Sequence, residues 1–409
     1  MLHPRFVSAH STNPRLDQAM TEAVASLGER FGSENPDLLV AFFSGPWDES
    51  ELRLPELGAR LRERTGAAHL IGCTATAAIE GQVEFEGRPA LALFAAALPG
   101  AQLTPFRLDV SREYGGALTF DGLPKFEDPL RAGVILLGDP FSFPMPAFLS
   151  YLGSEAPGLV VSGGMASGGN KPGSHLLLHG DGAQAEGAIG LSIEGDIELI
   201  SAVSQGCRPV GEPYVVTSSD GQMVRSLRGK PAAKVMMSTI ENLPDTEREL
   251  FQRGAFVGLA LDPTRSEFGP SDFLVRGVMG LHPQENAIAL AAPEVRTGMT
   301  IQFMVRDSAS ASDELSRIMA AGSPHWVSNG SPTGGLLFTC NGRGHSMFPV
   351  PDHDARSIQA ELGPDMPLAG LFAGGEIGMV GGRPFLHGFT ASLALLRRRS
   401  NSIEVPDSY

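Results

Sequence analysis

The turn Cys340-Asn341-Gly342-Arg343-Gly344 ends an apolar run and sets a thiol three residues from a guanidinium. A second glycine turn, Gly374-Gly375, leads into Glu376. Arginine forks to carboxylates and a carboxylate receives an ammonium. If the two turns face each other across a crevice, Arg343 and Glu376 suit a zwitterion such as an amino acid. The competing reading is that the two pair with each other and fasten the turns together. Matching turns in the N-terminal part offer Ser44-Gly45 and Cys73-Thr74. The candidate ligand-binding set is Arg343, Glu376, Cys340, Gly374, Gly375, Cys73 and Thr74. On this reading Arg343→Ala abolishes the ligand response and leaves the fold intact.

Other chemistries are weighed on the same residues. A cysteine hydrolase needs a thiol, a base in reach and an oxyanion hole, and Cys340 with His345 is the nearest pair along the chain. Cys73 ends an apolar run, where free cysteine behaves as a small core residue. Cys207 lies between Gly206 and Arg208, which suits either a thiol with a lowered pKa or a junction turn. Ser162-Gly163-Gly164 with Ser167-Gly168-Gly169-Asn170-Lys171 lacks the order of a phosphate loop and reads as a flexible hairpin. The ten histidines show no HExxH pattern, so no metal site is expected. Asp352-His353-Asp354 reads as a solvated cap before a helix. A haem would need an axial ligand, for which His345 and His387 are the candidates.

Bulk properties bound these readings. The chain has 409 residues, 42% hydrophobic and 19% charged, which fits a folded protein of two or three domains. A net charge of −15 argues against nucleic-acid binding, which needs a clustered cationic face. Arg397-Arg398-Arg399 is the sole basic run and reads as a solvated strand end. Three widely spaced cysteines suit a reducing cytoplasm, and the apolar runs are too short for a membrane span. The N-terminus carries no export pattern, so the expected location is cytoplasmic.

The elements that must position these residues follow from periodicity. Asn13 to Arg30 repeats apolar residues at helical spacing, and Leu38 to Phe43 is a continuous apolar run, hence a buried strand. Glu49 to Arg64 reads as a helix, and His69 to Cys73 and Pro89 to Leu98 as strands. A second round runs through Val134 to Leu137, a short helix from Pro146 to Leu152, and Leu159 to Val161. In it, Ser174 to Leu178 and Ala188 to Ile193 are expected to pair as antiparallel strands. A third round covers Leu336 to Cys340, a helix around Ala355 to Leu362, Leu368 to Phe372 and Leu386 to Leu395. Strands near Phe256, Phe273, Ala287 and Met299 and a helix from Ser312 to Met319 suggest a degraded fourth round. The expected class is α/β in layers, with internally duplicated strand-helix-strand units, mixed sheets and two lobes.

The rounds echo one another in sequence. Leu70-Ile71-Gly72 aligns with Leu368-Ala369-Gly370, and Gly87-Arg88-Pro89 running to Leu98 aligns with Gly382-Arg383-Pro384 running to Leu393. Gln205-Gly206-Cys207-Arg208-Pro209-Val210-Gly211 and Leu227-Arg228-Gly229-Lys230-Pro231-Ala232 resemble the junction of the N-terminal and C-terminal FIST domains. Ile71-Gly72-Cys73-Thr74, the turn at Cys340 and the stretch from Leu368 to Gly378 resemble the signature segments of the two domains. The resemblance implies a FIST N-terminal-like domain over 37–225 and a C-terminal-like domain over 226–396. It implies an intracellular sensory protein that binds a small polar ligand such as an amino acid and signals through a separate protein. It also brings a haem-binding alternative and, from eukaryotic relatives, a ligand-independent interaction scaffold. The family pattern has a later Gly-Glu where this chain has Ala77-Ala78, so no role passes to that position.

Overall fold

The computed structural model describes residues 3–400 except 33, 46, 48–55, 114, 263, 266, 269–271, 283, 294 and 330, with backbone alone over 321–329. It is a mixed α/β structure of two compact units. One comprises Met1–Ser204 with Leu315–Tyr409, and the other Gln205–Glu314.

The larger unit holds three sheets with one strand order. The first runs Arg5–Ser11, Ala90–Ala97, Leu38–Ser44, His69–Ala75, then the hairpin Leu177–His179 and Gly182–Gln184. The second runs Ala101–Arg112, Ala188–Gly195, Gly133–Gly138, Val160–Met165, then the hairpin Glu376–Val380 and Arg383–His387, with Leu118–Asp121 added at the opposite edge. The third runs Ile197–Ser204, Ala391–Arg398, Gly334–Cys340, Leu368–Ala373, then the hairpin Ala78–Glu80 and Val83–Glu84. In each sheet the third and fourth strands are parallel and all other neighbours in the shared order are antiparallel. A parallel pair needs a crossover, and the helices Met145–Glu155 and His353–Leu362 supply it in the second and third sheets. In the first, the helix Leu57–Thr65 lies on the crossover; the expected start of that helix near Glu49 falls outside the described residues.

The terminal hairpins are exchanged in a closed cycle. The hairpin that follows His69–Ala75 in the chain joins the third sheet, the one after Val160–Met165 joins the first, and the one after Leu368–Ala373 joins the second. This corrects the expected pairing of Ser174–Leu178 with Ala188–Ile193. Leu177–His179 pairs with Ile71–Cys73, whereas Ala188–Gly195 pairs with Gly133–Gly138 and Ala101–Arg112. It also shifts one alignment. Register places Leu93 against Ala41 and Leu393 against Leu337, so Ala90–Ala97 matches Ala391–Arg398, while Arg383–His387 is the exchanged arm. The run Leu386 to Leu395 is two strands, parted where Phe389 takes φ 66°.

Side-chain alternation explains the layering. Leu38, Val40 and Phe42 enter a core shared by all three sheets, with Ile135, Leu137, Phe338 and Leu371. Leu39, Ala41 and Phe43 face the other way, onto the helix Leu16–Phe31. That helix buries Leu16, Ala19, Met20, Ala23, Leu27 and Phe31, a stripe at helical spacing. The second sheet lays its outer face on Met145–Glu155 and the third on His353–Leu362.

The smaller unit has one sheet, ordered Cys207–Asp220, Thr300–Arg306, Phe256–Ala260, Phe273–His282, Ala287–Leu290, Met223–Leu227, Lys230–Pro231. Its first three strands repeat the order of the others, but Phe256–Ala260 and Phe273–His282 are antiparallel. Among the described residues, no helix is long and apolar enough to cross a membrane.

Candidate functional site

Parallel strands end together, and their carboxyl ends leave loops that collect ligands. All three parallel pairs end at one open cavity of about 700 Å³. Gly45 and Thr74–Thr76 come from the first sheet, Pro140, Phe141 and Ala166–Lys171 from the second, Asn341 and Gly374 from the third. Ser167 ties the turns together. Its hydroxyl accepts from the Thr76 N–H at 2.8 Å and donates to the Phe372 carbonyl, and its own N–H donates to the Thr74 carbonyl at 3.1 Å. The Gly374 N–H donates to Met165 O at 3.0 Å.

The lining combines polar and aromatic side chains. His175 sits 2.8 Å from Asp139 through Nδ1, and its Nε2 accepts from the Gly169 N–H at 3.2 Å. Asp139 accepts in turn from Ser142 Oγ at 2.6 Å, so the imidazole is fixed in orientation. Phe141 stacks on it at 5.5 Å and 12°. Phe43 and Trp47 also line the cavity, 6.2 Å apart and near perpendicular. Lys171 is the exposed cation, with no ion pair among the described residues, and no Asp or Glu is among the described lining residues.

Of the residues singled out from sequence, Thr74 and Gly374 line the cavity. Cys73, Cys340, Gly375, Arg343 and Glu376 lie outside its described lining. Arg343 is fully buried and forks to Asp354, Nε to Oδ2 at 2.7 Å and Nη2 to Oδ1 at 2.8 Å. Thr339 Oγ1 donates to the same carboxylate at 2.6 Å. The expected solvated cap at 352–354 is therefore corrected: Asp354 is buried, because the helix His353–Leu362 packs its first turn against the turn carrying Arg343. Glu84, from the exchanged hairpin, caps that helix by accepting from the N–H groups of Asp354 and Ala355 at 3.0 Å. Burial and the Asp354 charge push Glu84 up to about 8.

Glu376 is also fully buried; its Oε2 accepts from the N–H and hydroxyl of Thr390 at 3.1 and 2.9 Å. Burial pushes its carboxyl up to about 8, and burial together with Glu376 pushes the Cys340 thiol up to about 12. At neutral pH that thiol is protonated, and His345 lies 2.7 Å from Glu86. Burial raises the Cys73 thiol as well. Of the histidines considered for haem, His387 binds the Gly378 carbonyl through Nε2 at 3.2 Å, and neither it nor His345 lines the cavity. His175 does, with both ring nitrogens engaged, so the lining does not fit an iron ligand as it stands.

A raised carboxyl has a testable sign. Glu376 favours the folded state below its unfolded value near 4.5 and loses that contribution as pH rises through about 8. Glu376→Gln, which never ionises, should be more stable than the parent at pH 9, with the gap shrinking toward pH 5. Urea midpoints at the two pH values check it, and a gap that widens toward pH 5 would contradict the assignment.

Sequence reading missed Trp47, Phe141 and the Asp139–His175 pair. The signals were present, in the break Gly138-Asp139-Pro140 and in one of only two tryptophans. The loop read as a flexible hairpin, Ser167 to Lys171, is the cavity's most extensive wall.

Residues 37–230 match the FIST N domain and residues 232–379 the FIST C domain. The boundary between the two matches lies inside the smaller compact unit. Uncharacterized protein Rv0628c of Mycobacterium tuberculosis is 39% identical over 385 residues, covering 94% of this chain and 97% of the relative. Uncharacterized protein Mb0898c of Mycobacterium bovis is 36% identical over 384 residues, covering 94% of this chain and 96% of the relative.

Proposed function

The chain belongs to the FIST family, and on that premise we propose that it is a sensory protein binding a small polar ligand in the cavity where the three sheets end. The observation that carries this reading is the convergence of all three parallel strand pairs on one cavity whose exposed cation is unpaired among the described residues. The family's association with small-ligand sensing supports it. A volume of about 700 Å³ lies in the range of small-molecule sites.

The ligand carries a negative group for Lys171. In an amino acid that group is the carboxylate, while amide oxygens such as those of Asn170 and Asn341 are the acceptors for its ammonium. Thr74 and Gly374 are wall residues; Cys340, Arg343, Gly375, Glu376 and Cys73 lie outside the described lining. The common strand order and exchanged hairpins favour internal duplication as the origin of the cavity. Signalling passes to a separate cytoplasmic protein once the ligand prefers one arrangement of the turns over another.

A thermal-shift screen of amino acids and small carboxylates tests the reading. At 100 times Kd a ligand stabilises by about 2.7 kcal/mol, several degrees in Tm. Lys171→Met should keep the parent Tm without ligand and lose most of the shift. A shift that persists in Lys171→Met and in Thr74→Val would place the ligand elsewhere.

A further inference from the structure

We infer that the ligand is a planar aromatic acid, its ring stacked on Phe141 and its carboxylate on Lys171. This rests on the cavity being the binding site and names the chemistry that the cavity selects.

Three observations converge. First, Phe141 lines the cavity and is 47% exposed, an uncommon state for a phenylalanine. One face rests on the His175 imidazole, itself fixed by Asp139 and the Gly169 N–H. The accessible part of the ring is thus its other face and edge, held rigidly in place. A rigid aromatic face is matched by a second aromatic ring, in offset or edge geometry.

Second, Trp47 lines the same cavity at 5% exposure, and its buried indole Nε1–H has no acceptor among the described residues. A buried donor without a partner costs stability, and the indole donates only, so a ligand whose approach exposes that N–H gains by bringing an acceptor such as a carboxylate oxygen or a ring nitrogen. Third, the charge of the wall is one-sided: Lys171 is present and no acid is among the described lining residues, in a chain of net charge −15. An aliphatic amino acid would leave Phe141 uncovered and find only amide oxygens, not a carboxylate, among the described lining residues for its ammonium. A flat acid meets all three features at once.

Isothermal titration with matched probes separates the contributions. Indole-3-carboxylate and benzoate are the aromatic acids. Cyclohexanecarboxylate keeps the charge without the ring, benzamide keeps the ring without the charge, and alanine represents the aliphatic amino acids. The aromatic acids should bind about threefold to tenfold more tightly than cyclohexanecarboxylate. Benzamide should be weaker than benzoate by about tenfold or more. Phe141→Leu should erase the preference for the ring and leave cyclohexanecarboxylate unchanged, and Lys171→Met should weaken every acid. Both residues are exposed, so unchanged urea midpoints confirm that the variants fold.

If alanine binds in a Lys171-dependent manner, with no aromatic preference and no effect of Phe141→Leu, the aromatic assignment is overturned while the cavity remains the site. Aromatic acids that bind with no sensitivity to either variant would overturn both. Failure of every aromatic acid to bind at millimolar concentration also overturns the assignment.

Discussion

Arg343→Leu should destabilise the larger unit by about 3–5 kcal/mol, the loss expected when one partner of a buried ion pair is removed. Arg343 and Asp354 are both buried and joined by two hydrogen bonds at 2.7 and 2.8 Å. Burial alone would raise the Asp354 carboxyl, but the guanidinium holds it well below the usual carboxylate range. Without arginine, Asp354 is a buried anion that also occupies Thr339 and the first turn of the helix His353–Leu362. A carboxylate depressed in the folded state contributes stability above its unfolded value near 3.8 and loses it as pH falls through the folded value. The gap between parent and variant is therefore widest near neutrality and narrows toward pH 3. Arg343→Leu/Asp354→Leu should recover more than half of the loss, because the uncompensated charge goes with its partner. Additive single-variant losses would contradict the account. The structure thus moves the expected effect of losing Arg343 from the ligand to the fold, since the side chain is absent from the described cavity wall.

Gly370→Ala should cost about 3 kcal/mol, at the upper end of overpacking in a core. A Cβ at Gly370 would overlap the carbonyl oxygen of Leu337 on the neighbouring parallel strand. Gly72 stands in the same relation to Ala41, and Gly163 to Leu136. On their other side the three glycines face Ile79, Leu178 and Ile377, one aliphatic residue from each exchanged hairpin. Strand spacing is set by backbone, so relief requires moving the pair whose ends form the cavity. Gly72→Ala and Gly163→Ala should match Gly370→Ala within a factor of about two. Gly277→Ala, in the strand Phe273–His282 with open space around its Cβ position, should stay within about 0.5 kcal/mol. Urea titration monitored by circular dichroism makes the comparison; three harmless core variants would show that the parallel pairs are not packed as described.

What could be read from sequence follows the range of the interactions involved. Leu38 to Phe43 was legible because a strand buried on both faces is a continuous apolar run, and Leu16–Phe31 because its stripe is local. Leu70-Ile71-Gly72 and Leu368-Ala369-Gly370 occupy equivalent strands, and Gly72 and Gly370 each answer a steric demand of their own parallel pair. The hairpin exchange was not legible: Leu177–His179 and Ala78–Glu80 are three-residue strands, and nothing local states which sheet they join. The later alignment slipped onto the exchanged arm Arg383–His387 for the same reason. At the site, glycine turns at strand ends pointed to Thr74 and Gly374. They also suggested Arg343 and Glu376, because a charged residue after a glycine turn looks the same whether solvent or a buried partner receives it. Arg343 is received by Asp354, eleven residues beyond it, and Glu376 by Thr390.

The central claim is that the carboxyl ends of the three parallel pairs form one ligand site. Hydrogen exchange, followed by mass spectrometry with and without the tightest binder from the carboxylate screen, tests it most directly. Exchange should slow in 74–76, 166–175 and 341–343 together, one segment from each sheet, with no such protection in Lys171→Met. Protection confined to one segment, or to residues away from all three, would contradict it.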